Sequence, residues 1–289
     1  MIIQEILYKT YSRYKLSPID MGVLLSLALA KPKEYILAHP EKELTELQTK
    51  KFISFAEKRF AGEPVAYIAG KKEFFGLDFI ANKNVLIPRP ETELLVERAI
   101  KKILDAKCQT LSTVVDIGTG SGNIIISIAK NIPKEIQKRI IFYAVDVSKE
   151  SLKIAKANAK KHRTEKKIKF IQSDLLKYFL NNKAKLKNIF IVANLPYVSP
   201  KIYSKHKNNL KYEPKQALCS PEKGLAHYKK LIRQASLLAA DHCLFILEIS
   251  PEQKPEINHI IKKLLPKARA NFFKDLAGKW RAVEFVSVR

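Results

Sequence analysis

The alternation of short apolar runs with charged, helix-like segments from Thr113 onward is the feature that most limits how this 289-residue chain can fold. TVVDIG, IIFYAVDV and IKFIQSDL have the composition of buried strands, and NIIISIAKNI and KESLKIAKANAKKH between them have helical spacing. Strands separated by helices in this way form a parallel sheet through right-handed crossovers. With the later runs NIFIVANLPY, CLFILEIS and AVEFVSV, the sequence predicts a Rossmann-like α/β fold of about seven mostly parallel strands.

The residues before this alternation predict two smaller regions. Residues 1–73 carry apolar side chains at helical spacing in three segments, which predicts a small helical domain. Residues 74–92 contain aromatic and β-branched runs on either side of Asn82 and Asn84, which favours a β-hairpin linker with its turn at these asparagines. The α/β domain then covers residues 93–289.

Composition excludes several classes of protein. The longest apolar run, residues 21–30, is shorter than the ~20 residues that a membrane span needs, so no membrane association is predicted. The three cysteines, Cys108, Cys219 and Cys243, form no close pair, which favours a reducing cytoplasm over a disulfide framework. The six histidines share no metal-ligand spacing with one another or with the cysteines, so no metal is predicted.

Positive charge is concentrated in the second part of the chain. Residues 101–289 contain 38 Lys and Arg against 15 Asp and Glu, whereas residues 1–100 contain 15 against 13. A surface this basic attracts polyanions and favours RNA, or a protein that works beside RNA, as a partner. Lysine predominates and no aromatic or arginine-rich recognition pattern accompanies it, so solvated helix faces explain the charge equally well. Incidental RNA contact and a merely solvated surface both stay open.

A glycine-rich segment, VVDIGTGSGN, joins the first apolar strand of the alternation to the next helix. Its GxGxG pattern lets the backbone turn tightly against a ligand. Because a dinucleotide site would have GxGxxG and an ATP site a Lys-Ser/Thr pair, nicotinamide cofactors and ATP are disfavoured. The pattern resembles motif I of the class I methyltransferases, which bind S-adenosylmethionine. The residues implied to contact this cofactor are Gly118, Thr119, Gly120, Ser121 and Gly122.

Two further acids stand at the ends of later strands. Asp146 closes IIFYAVD, where a carboxylate can accept both hydroxyl hydrogens of a ribose. Asp174 closes FIQSD, where it can accept from the exocyclic amine of adenine, with Leu175 beside it as an apolar wall. Each acid alone is also a common helix N-cap. Three strand ends in register with ligand-suited residues predict S-adenosylmethionine as the cofactor.

The tetrapeptide Asn194-Leu195-Pro196-Tyr197 follows the strand NIFIVA and indicates the acceptor. A planar NH2 group is a weak nucleophile, so it must be held in line with the methyl donor while its two hydrogens are engaged. The Asn194 side-chain oxygen and the Leu195 backbone carbonyl can accept one hydrogen each, and the Tyr197 ring can pack on the planar group. Orientation then replaces a strong base, which predicts methylation of a planar nitrogen.

This tetrapeptide resembles the Asn-Pro-Pro-Tyr motif of adenine-N6, guanine-N2 and glutamine-N5 methyltransferases, with Leu195 where proline is usual. The form with leucine also resembles ribosomal RNA adenine dimethylases. The motif alone therefore leaves both a protein amide and an adenine open. The catalytic residues it implies are Asn194, Leu195, Pro196 and Tyr197.

The segments GEPVAYIAG at 62–70 and VLIPRPETE at 85–93, followed by YEP at 212–214 and LE at 247–248, closely resemble the release factor glutamine methyltransferase family, PrmC/HemK. This resemblance implies methyl transfer to the glutamine in the Gly-Gly-Gln loop of class I peptide chain release factors. It also implies that residues 1–73 dock the release factor and that Asn194 contacts the cofactor as well. Adenine-N6 methylation of RNA or DNA is the alternative.

Besides Leu195, two positions depart from the family pattern. Asp241-His242 replaces a glycine pair, and Ser250 stands where glycine is usual. These departures would reshape the wall of the acceptor pocket. Activity is expected to survive them, because neither touches the groups that orient the amide.

Overall fold

The computed structural model describes residues 1–105, 111–182, 188–238 and 242–288. The chain divides into two compact units, Met1–Lys71 and Lys72–Arg289. Cys108 and Asp241 lie outside the described residues. Over the part of the chain that is described, no helix is long and apolar enough to cross a membrane.

The first unit is helical. Its helices are α1 Ile3–Tyr14, α2 Pro18–Leu29, α3 Lys33–Ala38, α4 Glu46–Phe60 and α5 Val65–Ala69. The side chains of Ile6, Leu24 and Phe52 are buried in its core. Ser17 begins α2 and Thr45 begins α4 as N-caps whose hydroxyl oxygens accept backbone N–H bonds. The three longer helices correspond to the three predicted segments, whereas α3 and α5 are too short to show a period in sequence.

A two-stranded hairpin follows, with β1 at Lys71–Phe74 and β2 at Leu77–Ile80. Its turn lies at Phe75 and Gly76, both with positive φ, so the predicted turn at Asn82 and Asn84 is wrong. Gly76 takes a φ of 69° without the steric cost that a Cβ would impose. Asn82 instead forms a local turn, because its Oδ1 accepts from the Asn84 backbone N–H at 3.0 Å.

The second unit alternates strands and helices after a 3-10 turn at Pro90–Thr92, with further 3-10 turns at Glu165–Lys167 and Pro251–Gln253. Its elements are α6 Glu93–Leu104, β3 Thr113–Ile117, α7 Asn123–Asn131, α8 Lys134–Gln137, β4 Ile141–Asp146, α9 Lys149–Lys161, β5 Ile168–Gln172, α10 Lys177–Asn181, β6 Ile189–Ala193, α11 Pro200–Lys205, α12 Lys207–Leu210, α13 Lys215–Leu218, α14 Pro221–Gly224, α15 Ala226–Leu237, β7 His242–Glu248, α16 Lys254–Leu264, β8 Asn271–Lys274 and β9 Trp280–Val288.

The strands of this unit form a seven-stranded sheet in the order β5-β4-β3-β6-β7-β9-β8 within the described residues. The first five strands of that order are parallel, and β9 is antiparallel to β7 and to β8. The predicted Rossmann-like α/β fold with about seven mostly parallel strands is thus confirmed. All residues of β3 and β6 are buried, as expected for central strands covered by helices on both faces.

Successive residues of the central strands pack on opposite faces of the sheet. Val115 and Ile191 join the core under α15 and α16, whereas Val114 and Phe190 join the core under α6 and α7. The chain order reverses between β3 and β6, which opens a crevice at their carboxyl ends. Because Ile117 pairs with Ala193, the segments that follow these two residues leave the sheet side by side.

Candidate active site

Two cavities lie at the carboxyl ends of the parallel strands. The larger, called the main cavity here, has a volume of about 330 Å³, within the ~300–1,000 Å³ typical of small-molecule sites. The smaller, the side cavity, has about 40 Å³ and is lined in part by Arg89 and Tyr197. Asn194 and Leu195 line both cavities. The predicted site residues that line the main cavity are Gly118, Gly120, Asp146, Asp174, Leu175, Asn194, Leu195 and Pro196.

The glycine loop after β3 is fixed by hydrogen bonds to the end of β4. The backbone N–H groups of Gly118 and Thr119 donate to the Val145 carbonyl at 2.8 and 2.9 Å. The Gly120 N–H donates to Oδ2 of Asp146 at 2.9 Å. The loop therefore turns its backbone toward the main cavity at Gly118 and Gly120, with a carboxylate beside it.

The other three predicted loop residues build the loop and do not line the main cavity. Thr119 is buried and donates its hydroxyl hydrogen to Oδ2 of Asp116 at 2.7 Å. Ser121 is buried as well. Gly122 has a φ of 80°, and a Cβ at this position would lie 3.2 Å from the Cβ of Ala155 in α9. Their contribution is to hold the turn between β3 and α7.

Asp146 supplies a carboxylate that is held by backbone groups. Its Oδ2 accepts from Gly120, and its Oδ1 accepts from the Ser148 N–H at 2.8 Å. Burial raises the pKa of Asp146, and these backbone hydrogen bonds act in the opposite direction. Since a carboxylate oxygen can accept more than one hydrogen bond, both oxygens can still accept from vicinal hydroxyls of a ligand.

Asp174 and Leu175 line the main cavity after β5. The Asp174 carboxylate forms an ion pair with Lys230 of α15, which also lines the cavity. An adenine amine at this position would therefore meet a carboxylate that already has a partner. Leu175 is buried with a φ of 56°, a left-handed conformation that is strained for a residue with a Cβ. Such strain is concentrated at functional sites because surrounding contacts must impose it.

The acceptor motif is connected to a buried carboxylate by side-chain hydrogen bonds. Nδ2 of Asn194 donates to Oγ1 of Thr92 at 3.1 Å, and the Thr92 hydroxyl donates to Oε2 of Glu248 at 2.6 Å. The Tyr197 hydroxyl donates to Oε1 of Glu248 at 3.4 Å. We call Thr92, Asn194, Tyr197 and Glu248 the Glu248 cluster.

The Glu248 side chain lies at the carboxyl end of β7, and the residue is 1% exposed. Burial raises the pKa of Glu248 to about 7, while the Thr92 hydrogen bond and the Arg281 guanidinium act against that shift. Burial also raises the pKa of Tyr197 well above its ordinary value, so its hydroxyl stays protonated. Neither Thr92 nor Glu248 was among the predicted site residues. Both lie in segments that carry the family resemblance, Thr92 in VLIPRPETE at 85–93 and Glu248 in LE at 247–248, but the resemblance does not give either of them a role.

Neighbouring polar residues brace the walls of the side cavity. The Arg89 guanidinium donates to Oε1 of Glu213 at 2.5 Å, and the Ile87 N–H donates to the other oxygen at 3.1 Å. Ser250 is the N-cap of the turn Pro251–Gln253, and Gln253 donates to the Tyr197 carbonyl at 3.2 Å. Ser250, which stands where the family usually has glycine, is therefore connected to Tyr197 through Gln253.

The residues that line the main cavity suit S-adenosylmethionine. Gly118 and Gly120 present bare backbone. Apart from the two chain neighbours of Gly120, the Gly118 carbonyl oxygen at 3.9 Å is the one described atom within 4 Å of a Cβ placed at Gly120. Asp146 offers two acceptor oxygens for a ribose, and Leu175 offers an apolar wall for a base. Among the described residues, no group of three or more His, Cys, Asp or Glu side chains is arranged to hold a metal ion.

Two family models match the chain. Residues 109–268 match the model of a methyltransferase domain, and residues 13–70 match the model of the PrmC N-terminal domain. The first match covers the glycine loop, both strand-end acids and the acceptor motif. The second lies within the helical unit.

Several curated proteins resemble this chain along much of its length. A release factor glutamine methyltransferase of Clostridium botulinum is 32% identical over 98% of this chain and 99% of its own length. One of Bacillus subtilis is 34% identical over 86% of this chain and 84% of its own length. A bifunctional methyltransferase of Rickettsia bellii is 34% identical over 84% of this chain, which spans only 46% of that longer protein.

Solved structures share the fold at low sequence identity. The catalytic domain of hMettl16 in complex with MAT2A 3'UTR hairpin 1 has a TM-score of 0.55 and 14% identity, covering 84% of this chain and 81% of that one. The human methyltransferase 10 domain containing protein has a TM-score of 0.50 and 19% identity, covering 74% and 89%. At these identities the likeness shows a methyltransferase fold.

Proposed function

This chain belongs to the release factor glutamine methyltransferase family, and from that membership we propose that it methylates the side-chain nitrogen of a release factor glutamine. It is an S-adenosylmethionine-dependent N-methyltransferase by family and fold. The glutamine in question is that of the Gly-Gly-Gln loop of class I release factors.

One observation supports the assignment of donor and acceptor sites most strongly. Asn194 and Leu195 line the main cavity and the side cavity together, so they stand where a methyl donor and an acceptor would meet. The pairing of Ile117 with Ala193 brings this about, because it places the glycine loop and the acceptor motif next to each other. We assign the main cavity to the cofactor and the side cavity to the glutamine amide.

The chemistry then rests on orientation. When bound, S-adenosylmethionine supplies a methyl group activated by a positively charged sulfur. Oδ1 of Asn194 accepts one hydrogen of the glutamine amide and the Leu195 carbonyl accepts the other, which aims the nitrogen at the methyl carbon. The nitrogen–carbon bond forms as the carbon–sulfur bond breaks, and the nitrogen then releases a proton to water. Pro196 stiffens the turn and the Tyr197 ring packs on the amide plane.

The helical unit is the proposed docking domain for the release factor. An apolar groove of about 660 Å³ opens on its surface between α1, α2 and α3. Ile19 and Leu37, which line this groove, are 76% and 82% exposed. Large apolar side chains this exposed around one groove are typical of protein interaction sites. Residues 1–73 would thus select the protein, and residues 93–289 would carry out the transfer.

We further propose that the enzyme acts in the cytoplasm. Cys219 and Cys243 are free thiols, which fits a reducing compartment. The excess of 38 basic over 15 acidic residues in 101–289 supports incidental contact with RNA beside the ribosome.

Methyl transfer to defined acceptors tests this function. Purified protein is incubated with S-adenosylmethionine labelled in the methyl group and with a class I release factor, the same factor with the Gly-Gly-Gln glutamine replaced by alanine, or ribosomal RNA. We expect label in the unaltered release factor alone. Label confined to RNA would replace this proposal with the adenine-N6 alternative.

The same assay tests the docking domain. Replacing both Ile19 and Leu37 by serine should raise the KM for the release factor about tenfold or more, because apolar anchors in an interface are lost. The kcat and the affinity for S-adenosylmethionine should stay unchanged. Leu276→Ser, at an exposed leucine of the other unit, is the matched control and should change neither constant.

A further inference from the structure

We propose that the buried Glu248 carboxylate, acting through the Thr92 hydroxyl, sets which end of the Asn194 side-chain amide faces the acceptor nitrogen. Glu248 and Thr92 are positioning residues in this role, since neither lines either cavity. The inference rests on the proposed function, because it concerns how Asn194 meets a planar NH2 group.

The direction of each hydrogen bond follows from counting hydrogens. A threonine hydroxyl has one hydrogen, and an ionised carboxylate can only accept. At 2.6 Å from Oε2 of Glu248, the Thr92 hydroxyl gives its hydrogen to the carboxylate. Its oxygen can then only accept from Asn194, 3.1 Å away. The amide nitrogen of Asn194 must therefore face Thr92, and Oδ1 must face the other way.

This polarity matters because the two ends of an asparagine amide have the same shape and opposite hydrogen-bonding character. With Oδ1 turned to the acceptor, Asn194 accepts a hydrogen from the planar NH2 group. With the amide reversed, two NH2 groups would face each other and the acceptor nitrogen would lose its orientation. The fixed acceptors behind Asn194, the Thr92 oxygen and beyond it the Glu248 carboxylate, remove that reversed state before the acceptor substrate arrives.

Glu248 holds both ends of the acceptor motif at once. Oε2 accepts from the Thr92 hydroxyl, which in turn accepts from Asn194. Oε1 accepts from the Tyr197 hydroxyl at 3.4 Å. The backbone carbonyl of Glu248 accepts from the Tyr228 hydroxyl of α15 at 2.6 Å, which fixes the end of β7. One buried side chain thus connects the residue that orients the amide with the ring that packs on it.

The charged and titratable groups around Glu248 determine the pH range in which it is ionised and the Asn194 amide keeps this orientation. Arg281 of β9 favours its ionised form, Glu91 of the turn before α6 opposes it, and Tyr197 and Tyr228 face it as neutral hydroxyls. Burial raises the pKa of Glu248 to about 7. Below that pH the protonated carboxyl can donate to Thr92, which frees the Thr92 hydrogen for Oδ1 of Asn194 and permits the reversed amide. Turnover should therefore rise with pH through about 7.

Three threonine variants test the inference at pH 8. Thr92→Val keeps the shape and removes the hydroxyl, so kcat with the release factor should fall about 10- to 100-fold. Thr92→Ser keeps the hydroxyl and should stay within about threefold of the wild type. Thr164→Val is the matched control, because Thr164 is similarly buried and its hydroxyl donates to the Ala159 carbonyl, away from the Glu248 cluster. Calorimetry should give all three nearly the wild-type affinity for S-adenosylmethionine.

A pH series and a spectrum of the free protein supply readouts that a purely structural role would not move. The ratio of wild-type kcat to that of Glu248→Gln should increase from pH 6 to pH 8, since glutamine does not titrate in this range. In the protein without cofactor, the Asn194 side-chain amide protons, assigned by comparison with Asn194→Ala, should exchange faster with water in Thr92→Val than in Thr92→Ser.

The outcomes separate this inference from the proposed function. A wild-type enzyme that leaves the release factor unlabelled refutes the function itself. If the wild type is active, the inference is overturned when Thr92→Val keeps its kcat within threefold, or when Thr92→Ser loses as much as Thr92→Val. If Thr92→Val does not fold, a kcat ratio between wild type and Glu248→Gln that is constant from pH 6 to pH 8 overturns it.

Discussion

The two halves of the proposed site, a cofactor half at the glycine loop and an acceptor half at Asn194 and Tyr197, are held in place by different kinds of contact. In the cofactor half, the glycine loop is fixed by backbone N–H groups that donate to Val145 and Asp146 at the end of the neighbouring strand. In the acceptor half, Asn194 and Tyr197 are fixed by side chains that converge on Glu248. The two contacts to Val145 join backbone to backbone, so they depend on the strand register and change little when a side chain is replaced. Side-chain contacts can be removed one at a time.

This difference follows from what each half must do. A cofactor with many polar groups can be held by a rigid turn that presents bare backbone and one carboxylate. A planar amide must meet an acceptor at each of its two hydrogens. The Leu195 carbonyl is an acceptor in any case, whereas the Asn194 side-chain amide can face either way and needs side-chain contacts to fix which end accepts. We therefore expect substitutions in the acceptor half to affect turnover and substitutions in the cofactor half to affect affinity.

Asn194→Ala should separate the two halves most strongly. Loss of Oδ1 removes an oriented acceptor from the reacting nitrogen, so kcat should fall about 1,000-fold or below detection. The glycine loop and Asp146 are unchanged, so the dissociation constant for S-adenosylmethionine should rise no more than about fivefold. Turnover is measured with labelled methyl donor, and affinity by calorimetry.

Asn181→Ala, on the exposed end of α10, is the control and should alter neither quantity. An equal loss of turnover and cofactor affinity in Asn194→Ala would show that Asn194 is mainly a cofactor ligand. Asn194 would then belong to the cofactor half and not to the acceptor half.

The local structure of the proposed cofactor half could be predicted from sequence because its contacts are local. The loop lies between one strand and the next helix, and Asp146 ends the following strand, so a strand-turn-helix pattern is sufficient to find both. The parallel sheet was predictable for the same reason, since its central strands are continuous apolar runs. Strand β8, the four residues NFFK, was not predicted, because a run this short lacks a distinguishing period.

The acceptor half could be predicted only in part. The tetrapeptide from Asn194 to Tyr197 is local, but Thr92 lies 102 residues before Asn194 and 156 before Glu248. Hydrogen bonds over such separations exist only once the sheet has formed, and the family resemblance of residues 85–93 does not identify Thr92 as a partner of Asn194. The pairing of Asp174 with Lys230 on α15 was missed for the same reason. The prediction of the hairpin turn was wrong for a different reason. Asn82, Asn84 and Gly76 are all residues that favour turns, and the sequence alone does not show which of them forms the hairpin.

Two glycines allow the same substitution to be made in each half. At Gly224, φ is 89° and a Cβ would lie 2.0 Å from the Tyr197 carbonyl oxygen, so the backbone of the acceptor motif must move. At Gly122, a Cβ would lie 2.9 Å from the flexible end of Ile126 and 3.2 Å from Ala155. Gly224→Ala should lower kcat about 100-fold, because an ångström of misplacement at the reacting groups has that effect. Gly122→Ala should instead weaken cofactor binding about tenfold.

Steady-state kinetics and calorimetry on both variants check this contrast, and thermal unfolding shows whether each still folds. Both should be less stable than the wild type by about 1–3 kcal/mol, because an L-residue is strained at these φ values. The distinction between the two halves is contradicted if Gly224→Ala mainly lowers the affinity for S-adenosylmethionine while Gly122→Ala mainly lowers kcat.

Tyr197→Phe should give the smallest effect. It separates the contribution of the Tyr197 ring from that of its hydroxyl. The ring that packs on the amide stays, and only the 3.4 Å hydrogen bond to Oε1 of Glu248 is lost. At pH 8 kcat should stay within about threefold of the wild type. Because that bond favours the ionised carboxylate, its loss should raise the pKa of Glu248 and move the rise of kcat to higher pH.

Tyr178→Phe on α10 is the control and should leave the pH profile of kcat unchanged. A loss of 30-fold or more at pH 8 would mean that the Tyr197 hydroxyl itself contacts the acceptor, which would make Tyr197 a catalytic residue through its oxygen as well as its ring.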